Sequence, residues 1–296
     1  MFLAIITLMI VLSLCCVIVM VQQLKQENNV HITKKEYKLL SLSGILAFIA
    51  DTIGIGSFAV NIALAKAFKT FPDEQLPAMV NGAQIIPGVL ESLFFMQIID
   101  VDKLTLITLV AGTCIGGLLG GSVVCKLSKQ ALRLTMMVCF TLIIGLLVGN
   151  EMHWLPVGGN LVALHSTSLI IGFFAMIVCG ALTSAGIGLF ALVQGVLFLL
   201  NVSPAVAFPI MTTAGAMQQP LTTLLFLKQR KIPVKRTLVV SLAGCLGVLM
   251  VLPIFKLFTP QMLHIILIAV LLYNVRAISK AFFQTRQAKT QELATA

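Results

Sequence analysis

Two carboxylate side chains, Asp51 and Glu91, lie within long apolar stretches of the sequence. An ionisable group inside a membrane costs at least a few kcal/mol, so each is a candidate functional residue. We predict that both take part in ion coupling, as carriers of a proton or of Na⁺. Asp51 has two alternative roles: it could cap a helix by accepting backbone N–H groups, or bind a cationic group of a substrate. The alternative for Glu91 is an interfacial carboxylate, because its predicted helix ends soon after it.

Polar residues precede Glu91 at helical spacing. Asn81, Gln84, Gly88 and Glu91 are separated by three, four and three positions, which places them on one face of an α-helix. Pro87 lies beside this face and predicts a kink. The corresponding segment of the second half of the chain carries hydroxyl and amide side chains before Pro220, namely Thr212, Thr213, Gln218 and Gln219. Both segments therefore offer hydrogen-bonding groups near a kink.

Two glycine-containing motifs interrupt apolar stretches that are too long for one membrane span and too short for two. They read Asp51-Thr52-Ile53-Gly54-Ile55-Gly56-Ser57, within residues 39–71, and Thr183-Ser184-Ala185-Gly186-Ile187-Gly188, within residues 166–200. One span needs about 20 residues and two need about 40. Because glycine weakens a helix, we predict that each stretch forms two half-helices joined in a re-entrant hairpin. We call the first hairpin A and the second hairpin A′.

The hairpins predict a binding site for a small anion. A half-helix that begins near Gly54 or Gly186 would direct free N–H groups and a partial positive charge at the middle of the membrane. Nearby hydroxyl and amide groups could donate hydrogen bonds to the same anion. The predicted substrate-binding residues are Thr52, Gly54, Gly56, Ser57, Asn81, Gln84, Thr183, Ser184, Gly186, Gly188, Thr212, Thr213, Gln218 and Gln219.

The composition places these residues in an all-α polytopic membrane protein. Of the 296 residues, 59% are apolar and only 10% are charged, whereas about a quarter are charged in soluble domains. The apolar runs are also much longer than the roughly 10-residue strands of a membrane barrel. The net charge of +10 comes from Lys and Arg between or after these runs, so it indicates orientation in a membrane and no nucleic-acid partner. The seven Cys form no CxxC pair, and we predict no metal site and no cofactor.

The chain repeats itself at a shift of 132 positions. This shift aligns Gly54-Ile55-Gly56-Ser57-Phe58 with Gly186-Ile187-Gly188-Leu189-Phe190. We therefore divide the chain into an N-terminal transmembrane helix (1–22), two repeats (39–150 and 168–283) and a cytoplasmic tail (284–296). Each repeat is predicted to hold one hairpin followed by three transmembrane helices: 76–98, 104–125 and 131–150 in the first, and 205–227, 237–257 and 261–283 in the second.

The distribution of basic residues favours re-entrant hairpins. If the hairpins return to their own side, 18 of the 20 Lys and Arg face the cytoplasm, and if they cross fully, only 14 do. Three crossings per repeat is an odd number, so the second repeat would be inverted relative to the first, as in many transporters. The N-terminus would then lie outside and the C-terminus in the cytoplasm. The alternative is a pair of parallel repeats with long tilted helices, in which the glycines serve packing.

Glycines at four-residue spacing also predict where helices approach closely. Gly112, Gly116 and Gly120 form overlapping GxxxG patterns in one predicted span. Such a row lets the backbone of another helix come close. We predict a packing role for it.

The arrangement of motifs resembles the sulfite exporter TauE/SafE family, also called the toluene-sulfonate uptake permeases. The resemblance extends over residues 39–283 and rests on the two glycine motifs, each followed about 25 residues later by a helix start rich in Pro, Ala or Thr. The family motif has more glycine where this chain has Asp51 and Ser57, and usually reads Ala-Thr-Ser where it has Val80-Asn81-Gly82. The resemblance implies a plasma-membrane protein that transports small sulfur-containing anions.

The predicted function is secondary active transport of a small sulfur-containing or organic anion by alternating access. The expected partners are this anion, coupled H⁺ or Na⁺ and the lipid bilayer, and a homo-oligomer is compatible with the sequence. No GxxxxGK[ST] motif is present, so an ion gradient or the gradient of the substrate would supply the energy. We predict no enzymatic activity. The alternatives are an ion or small-solute channel, and an intramembrane enzyme or assembly factor.

Overall fold

A computed structural model describes residues 2–27, 31–152, 154, 159–253 and 260–295 of the chain. The described residues form helices and one isolated bridge between Leu161 and Val202. The helices are α1 (Phe2–Leu24), α2 (Lys34–Thr52), α3 (Ser57–Phe68), α4 (Leu76–Ala83), α5 (Ile85–Ile98), α6 (Lys103–Val124), α7 (Lys129–Glu151), α8 (Ser166–Ser184), α9 (Leu189–Leu199), α10 (Pro204–Lys228), α11 (Val234–Val251) and α12 (Pro260–Thr295), with a short 3₁₀ turn at Asp73–Gln75.

Six of the described helices, α1, α6, α7, α8, α11 and α12, are long and apolar enough to cross a membrane. The bent pair α4 and α5 would add a seventh if it is one span. The chain is therefore an all-helical, membrane-embedded protein. These membrane-crossing helices differ from the predicted transmembrane helices in two cases. α8 qualifies by itself although we predicted it as one arm of hairpin A′, and α10, which carries polar groups such as Gln218 and Gln219, does not qualify.

The helix predicted over residues 76–98 breaks three residues earlier than the predicted kink. α4 ends at Ala83, α5 begins at Ile85, and the two are bent by 40°. Pro87 lies in the first turn of α5, where its missing N–H costs no hydrogen bond. Its ring clashes with the carbonyl four residues earlier, at Ala83, and this clash favours a break at that point. The second repeat differs, because α10 continues through both Pro209 and Pro220.

Both glycine-interrupted stretches fold back on themselves. In hairpin A, Thr33 and Leu39 near the start of α2 line the same cavity as Phe68 and Phe71 near the end of α3. In hairpin A′, backbone hydrogen bonds join the segment before α8 to the segment after α9. Leu161 N donates to Asn201 O at 3.0 Å, and Ser203 N donates to Leu161 O at 2.9 Å. The first residue and the last residue of each hairpin therefore lie at the same end of the bundle, and the hairpin is open at that end.

Hairpin A opens at the end of the bundle where charged side chains from several helices meet, which we call the basic end. There Arg236 of α11 pairs with Glu36 of α2 at 2.7 Å. Arg133 of α7 donates to Asp73 at 2.6 Å and to the Ala281 carbonyl of α12 at 3.1 Å. These contacts join α2, α7, α11 and α12 at one end.

Hairpin A′ opens at the opposite end. α4 and α5 lead from Asp73, at the basic end, to Ile98, shortly before α6 begins. The first turn of α6 contacts the segment before α8, because Leu164 N donates to Thr105 Oγ1 at 2.9 Å. The two hairpins therefore approach the middle of the bundle from opposite ends.

The two halves pack crosswise through glycines. In the interface between α6 and α8, a Cβ on Gly116 would lie 1.9 Å from Ile177 O, and a Cβ on Gly180 would lie 2.2 Å from Thr113 O. In the interface between α2 and α11, a Cβ on Gly44 would lie 2.2 Å from Val240 O. These are the two most extensive helix pairs among the described residues. The predicted packing role of Gly112, Gly116 and Gly120 is confirmed, because all three contact α8.

We predict that Gly116→Ala destabilises the protein while Gly145→Ala does not. The added methyl at position 116 would collide with backbone that no side-chain rotation can move, so the α6–α8 interface must separate at a cost of about 2 kcal/mol. Gly145 in α7 has nothing within 4 Å of its added Cβ, and alanine there gains up to about 1 kcal/mol of helix propensity. Thermal unfolding in detergent measures the stability of both variants. Equal melting temperatures would contradict the close approach.

Candidate functional site

The tips of the two hairpins meet in the middle of the bundle. Gly56 and Gly188 are the N-cap residues of α3 and α9. A Cβ on Gly56 would lie 3.8 Å from Cβ of Phe190, and a Cβ on Gly188 would lie 3.8 Å from Cβ of Phe58. The contacts are reciprocal and involve positions 132 residues apart.

The half-helices begin later than we predicted from Gly54 and Gly186. α3 begins at Ser57 and α9 at Leu189. Gly54 and Gly186 lie within the turns, with φ values of 100° and 90°, because glycine adopts the left-handed conformation without steric cost. The N–H groups at the two N-termini therefore lie beside Gly56 and Gly188.

Asp51 is bound to the tip of its own hairpin. Its buried carboxylate accepts a hydrogen bond from Ser57 N, the first residue of α3, at 2.7 Å. Gln84 Nε2 donates to the second carboxylate oxygen, and Ser57 Oγ donates to Gln84 Oε1. The three residues form a closed ring of hydrogen bonds, and Asp51 stabilises the positive end of α3 through the Ser57 backbone N–H. This geometry supports the capping role and is compatible with an ion-carrying role.

Glu91 lies in the interior of the bundle and not on its surface. Its side chain is fully buried, and Oε1 is 2.7 Å from Thr52 Oγ1. The bend at Gln84 changes the direction of α5 and places Glu91 against hairpin A. The carboxyl groups of Asp51 and Glu91 are close enough to interact with each other. Thr52 and Glu91 thus extend the Asp51 ring into α5.

The Thr52 hydroxyl joins Glu91 to hairpin A and has more acceptors than protons. Thr52 Oγ1 lies 2.9 Å from Phe48 O and 2.7 Å from Glu91 Oε1, and both of these oxygens are ordinarily acceptors. A hydroxyl has one proton to donate. Thr52 therefore shares its proton between Phe48 O and Glu91 Oε1, unless Glu91 is protonated and donates to the hydroxyl. In addition, Glu91 Oε2 has no hydrogen-bond partner among the described residues, which is costly for a carboxylate and less so for an acid.

A small cavity separates the hairpin tips and takes its walls from both halves. Its lining comprises the predicted residues Asp51, Gly56, Ser57, Gln84, Gly188, Thr212 and Gln219, together with Phe58, Leu189, Phe190, Met211 and Gly215. The volume open to a water-sized sphere is about 10 Å³, which is room for about one water molecule. Sequence reasoning did not select the two phenylalanines as site residues, although both stand in the repeated motif at a shift of 132.

The remaining predicted residues serve the packing of the tips and do not line this cavity. Thr183 Oγ1 donates to Cys179 O, and Ser184 Oγ donates to Gly117 O, so neither hydroxyl is directed at an anion. Asn81 Nδ2 donates to Thr183 O at 3.2 Å and joins α4 to the end of α8. Three further predicted residues also contact protein groups. Gly186 packs on Pro77, the Thr213 hydroxyl forms a hydrogen bond with the Ser92 hydroxyl, and Gln218 donates to the Thr222 hydroxyl. Small polar residues in this fold thus often satisfy neighbouring backbone.

A buried ion network that we did not predict fixes the base of hairpin A. Asp73 pairs with Lys66 of α3 and with Arg133 of α7, and Arg133 also donates to Thr285 Oγ1 at 2.9 Å. The Asp73 and Arg133 side chains are almost completely buried. The pairing could not be read from the sequence, because its partners are separated by up to 152 positions along the chain.

Asp73→Asn should destabilise the protein by about 3 kcal/mol, because it leaves the buried charge of Arg133 and the partly buried charge of Lys66 without a carboxylate. The neighbouring pair of Glu74 and Lys129 is about half exposed, so Glu74→Gln should cost less than 1 kcal/mol. Thermal unfolding of the two variants at neutral pH provides the comparison. A similar loss in both variants would show that the Asp73 network contributes no more than a surface pair.

Within the described residues, no group of three or more His, Cys, Asp or Glu is placed to hold a metal ion. Comparisons with protein-family models, with curated proteins and with solved structures found no match for this chain. What the fold and the site define is therefore a class: a membrane-embedded helical protein with a buried pair of carboxyl groups where two hairpin tips meet.

Proposed function

We propose that the chain is a secondary active transporter that couples the movement of a small anion to protons. The observation that carries the proposal is the interior carboxyl pair, Asp51 and Glu91, beside a cavity that the tips of two hairpins enclose. Carboxyl groups in this position are costly, and proton relays in transporters use them. The resemblance to the TauE/SafE family is consistent with this function.

An inverted arrangement of two repeats follows from the same proposal. The two halves have the same order of helices, and their hairpins open at opposite ends of the bundle. The reciprocal contacts of Gly56 with Phe190 and of Gly188 with Phe58 support a two-fold axis between the tips. If the basic end faces the cytoplasm, as the positive-inside rule requires, the axis lies in the membrane plane. The N-terminus is then outside and the C-terminus inside the cell.

The proton is the coupling ion that the geometry favours over Na⁺. The contacts of Thr52 are satisfied when Glu91 carries a proton. A bound Na⁺ would need several oxygen ligands, but Asp51 already accepts from Ser57 N and from Gln84 Nε2. The ring around Asp51 thus holds one negative charge, while Glu91 is free to gain and lose a proton when water reaches it.

The anion is expected at the tip of hairpin A′. At hairpin A, the carboxylate of Asp51 already occupies the position in front of the α3 N-terminus. At hairpin A′, the residue that corresponds to Asp51 is Thr183, and α9 begins without a side-chain cap among the described residues. The exposed donors are then the first N–H groups of α9, beside Gly188 and facing the cavity. One anion per transport cycle is the natural stoichiometry of such an asymmetric pair.

In the proposed alternating-access cycle, a cavity of this size would belong to a closed state. A space for about one water molecule is too small for an oxyanion, so binding requires one hairpin to move away from the other. Because the hairpins come from opposite ends, withdrawing either one would open the cavity toward its own end. Each opening would expose the α9 N-terminus and Asp51, the cavity-lining member of the carboxyl pair, to one side of the membrane.

A ligand screen followed by flux measurements tests the proposal. Purified protein is melted with sulfite, thiosulfate, sulfonates, carboxylates and amines at two pH values, with and without Na⁺. A ligand that binds the native state raises the melting temperature. We expect stabilisation by one class of anion at the lower pH without a requirement for Na⁺, and uptake of that anion into proteoliposomes driven by a pH gradient. Stabilisation by amines alone would assign Asp51 to a cation and overturn the proposal.

A further inference from the structure

A second and much larger cavity lies at the basic end, between the base of hairpin A and the start of α11. Its volume is about 690 Å³, within the range of small-molecule sites. It is lined by residues from three segments: Thr33, Lys35, Glu36 and Leu39 at the start of α2, Ala65, Lys66 and residues 68–72 at the end of α3 and beyond it, and Arg236 in the first turn of α11. No residue that lines the cavity between the hairpin tips also lines this one.

The charges of this cavity favour an anion. Four cationic side chains line it, namely Lys35, Lys66, Lys69 and Arg236, against one carboxylate, Glu36. Lys66 is held by Asp73 and Arg236 by Glu36. Lys35 and Lys69 are exposed, and no ion pair with either is found in the part of the chain that the structure describes. The two lysines are therefore available to a ligand.

A buried hydroxyl in the wall adds a specific hydrogen-bonding group. Thr70 lines the cavity and is only 6% exposed, and its Oγ1 has no hydrogen-bond partner among the described residues. A buried polar atom without a partner is unusual in native proteins and calls for an explanation. A ligand oxygen would supply the missing acceptor. Apolar side chains, including Leu39, Phe68 and Phe71, form the rest of the wall.

The position of the cavity is that of a lipid headgroup. α2 exposes Leu42 and Leu46 on its outer face, as expected of a helix in contact with lipid. Tyr37, which is 54% exposed, lies on α2 between these leucines and the lining residue Lys35. Tyrosine is enriched at the boundary between hydrocarbon and headgroups. The cavity thus opens at the level where lipid phosphates lie, at the end predicted to face the cytoplasm.

We propose that this cavity binds the phosphate group of an anionic phospholipid. The phosphate accepts hydrogen bonds from Lys35, Lys69 and Thr70, and the apolar wall contacts the adjoining glycerol region. Basic cavities between membrane helices on the cytoplasmic side are suited to such headgroups. The bound lipid would join hairpin A to α11 across the basic end. The inference does not depend on the transport function, since it uses only the membrane location and the contacts at this end.

Lipid binding to the full-length protein tests the inference. Detergent-solubilised protein is titrated with phosphatidylglycerol or phosphatidylcholine, and bound lipid is counted by native mass spectrometry. We expect preference for phosphatidylglycerol and a loss on the order of 20-fold in its affinity for Lys35→Gln/Lys69→Gln, since each lysine near an anionic headgroup changes binding by roughly fivefold. Thr70→Val should weaken binding by a smaller factor. The matched control is Lys25→Gln/Lys126→Gln, which removes two exposed charges outside the cavity.

Three outcomes would overturn the inference. An equal loss in the control would show that net charge alone attracts the lipid. No preference for phosphatidylglycerol over phosphatidylcholine would exclude an anionic lipid site. Saturable binding of inorganic phosphate that Lys35→Gln/Lys69→Gln abolishes, with no retained lipid, would assign the cavity to a soluble phosphate ligand instead.

Discussion

Glu91→Gln is expected to leave the fold intact and to abolish proton-driven transport. Glutamine has nearly the shape of the protonated acid, and its amide oxygen can accept from Thr52 Oγ1 as Glu91 Oε1 does in the structure. The variant cannot release a proton, so it is fixed in one state of the proposed cycle. Its melting temperature should therefore stay close to that of the wild type, while its response to a pH gradient disappears.

The size of the effect follows from the driving force. One pH unit across the membrane is worth about 1.4 kcal/mol, or a tenfold accumulation ratio for each coupled proton. Wild-type proteoliposomes should thus accumulate the anion toward about tenfold, and those with Glu91→Gln should show no accumulation. In the Glu91→Gln variant, exchange of labelled for unlabelled anion should be reduced less than accumulation is. Accumulation by Glu91→Gln at the wild-type level would show that another group carries the proton.

Asp102→Asn is the matched control for removing a carboxylate. Asp102 caps α6 at the end of the bundle opposite the basic end, where it accepts from Thr105 N at 2.8 Å. Hydrogen bonds from the Thr105 backbone and hydroxyl keep the pKa of Asp102 below its ordinary value, so this residue is charged at the pH of the assay. Asparagine caps helices as well as aspartate does. Transport by this variant should match that of the wild type.

Asp51→Asn separates the roles of the two carboxyl groups. It removes the charge that stabilises the α3 N-terminus, so it should lower the free energy of unfolding by about 1 kcal/mol in addition to impairing transport. Glu91→Gln should impair transport alone. If Asp51→Asn loses stability but keeps a pH-dependent flux, Asp51 is a cap and Glu91 is the proton carrier.

The features predicted best from the sequence are those that depend on local patterns. The membrane class follows from the long apolar runs, because each helix must be apolar to lie in lipid. The row of glycines at 112, 116 and 120 predicts close packing, since close approach of two helices requires small residues at this spacing. Neither inference requires knowing which helices are neighbours.

The contacts of the site depend on neighbours and could not be predicted. Asp51 and Glu91 are candidates from the cost of their charge, but their meeting depends on the bend at Gln84. We expected that bend at Pro87, but it lies earlier because the proline ring clashes with a carbonyl that precedes it. Thr183 and Ser184 match the composition of an anion site, yet their hydroxyls bond nearby helix carbonyls. Hydroxyl side chains satisfy local backbone as readily as ligands, and only coordinates distinguish the two.

Gly56→Ala should severely destabilise the protein, while Gly188→Ala should not, although the two glycines occupy equivalent positions 132 residues apart. Gly56 has a φ of 96°, where an L-residue is strained by up to about 3 kcal/mol, and relieving the strain would displace Ser57 N from Asp51 at a further cost of about 1 kcal/mol. Gly188 has φ −56° and ψ 126°, which every residue adopts readily. The free energies of unfolding of the two variants, measured by thermal unfolding, should therefore differ by about 4 kcal/mol.

The same pair distinguishes the roles of the two hairpin tips in transport. The methyl group of Gly188→Ala would lie at ordinary contact distance from Phe58 but beside the N–H groups proposed to bind the anion. We expect this variant to fold normally and to show a higher KM for the anion, with its dependence on the pH gradient retained. Gly56→Ala should instead lose transport together with stability. If Gly188→Ala leaves KM unchanged, the anion does not approach the α9 N-terminus, and the remaining donors around the cavity, Gln84 and Gln219, become the groups to test.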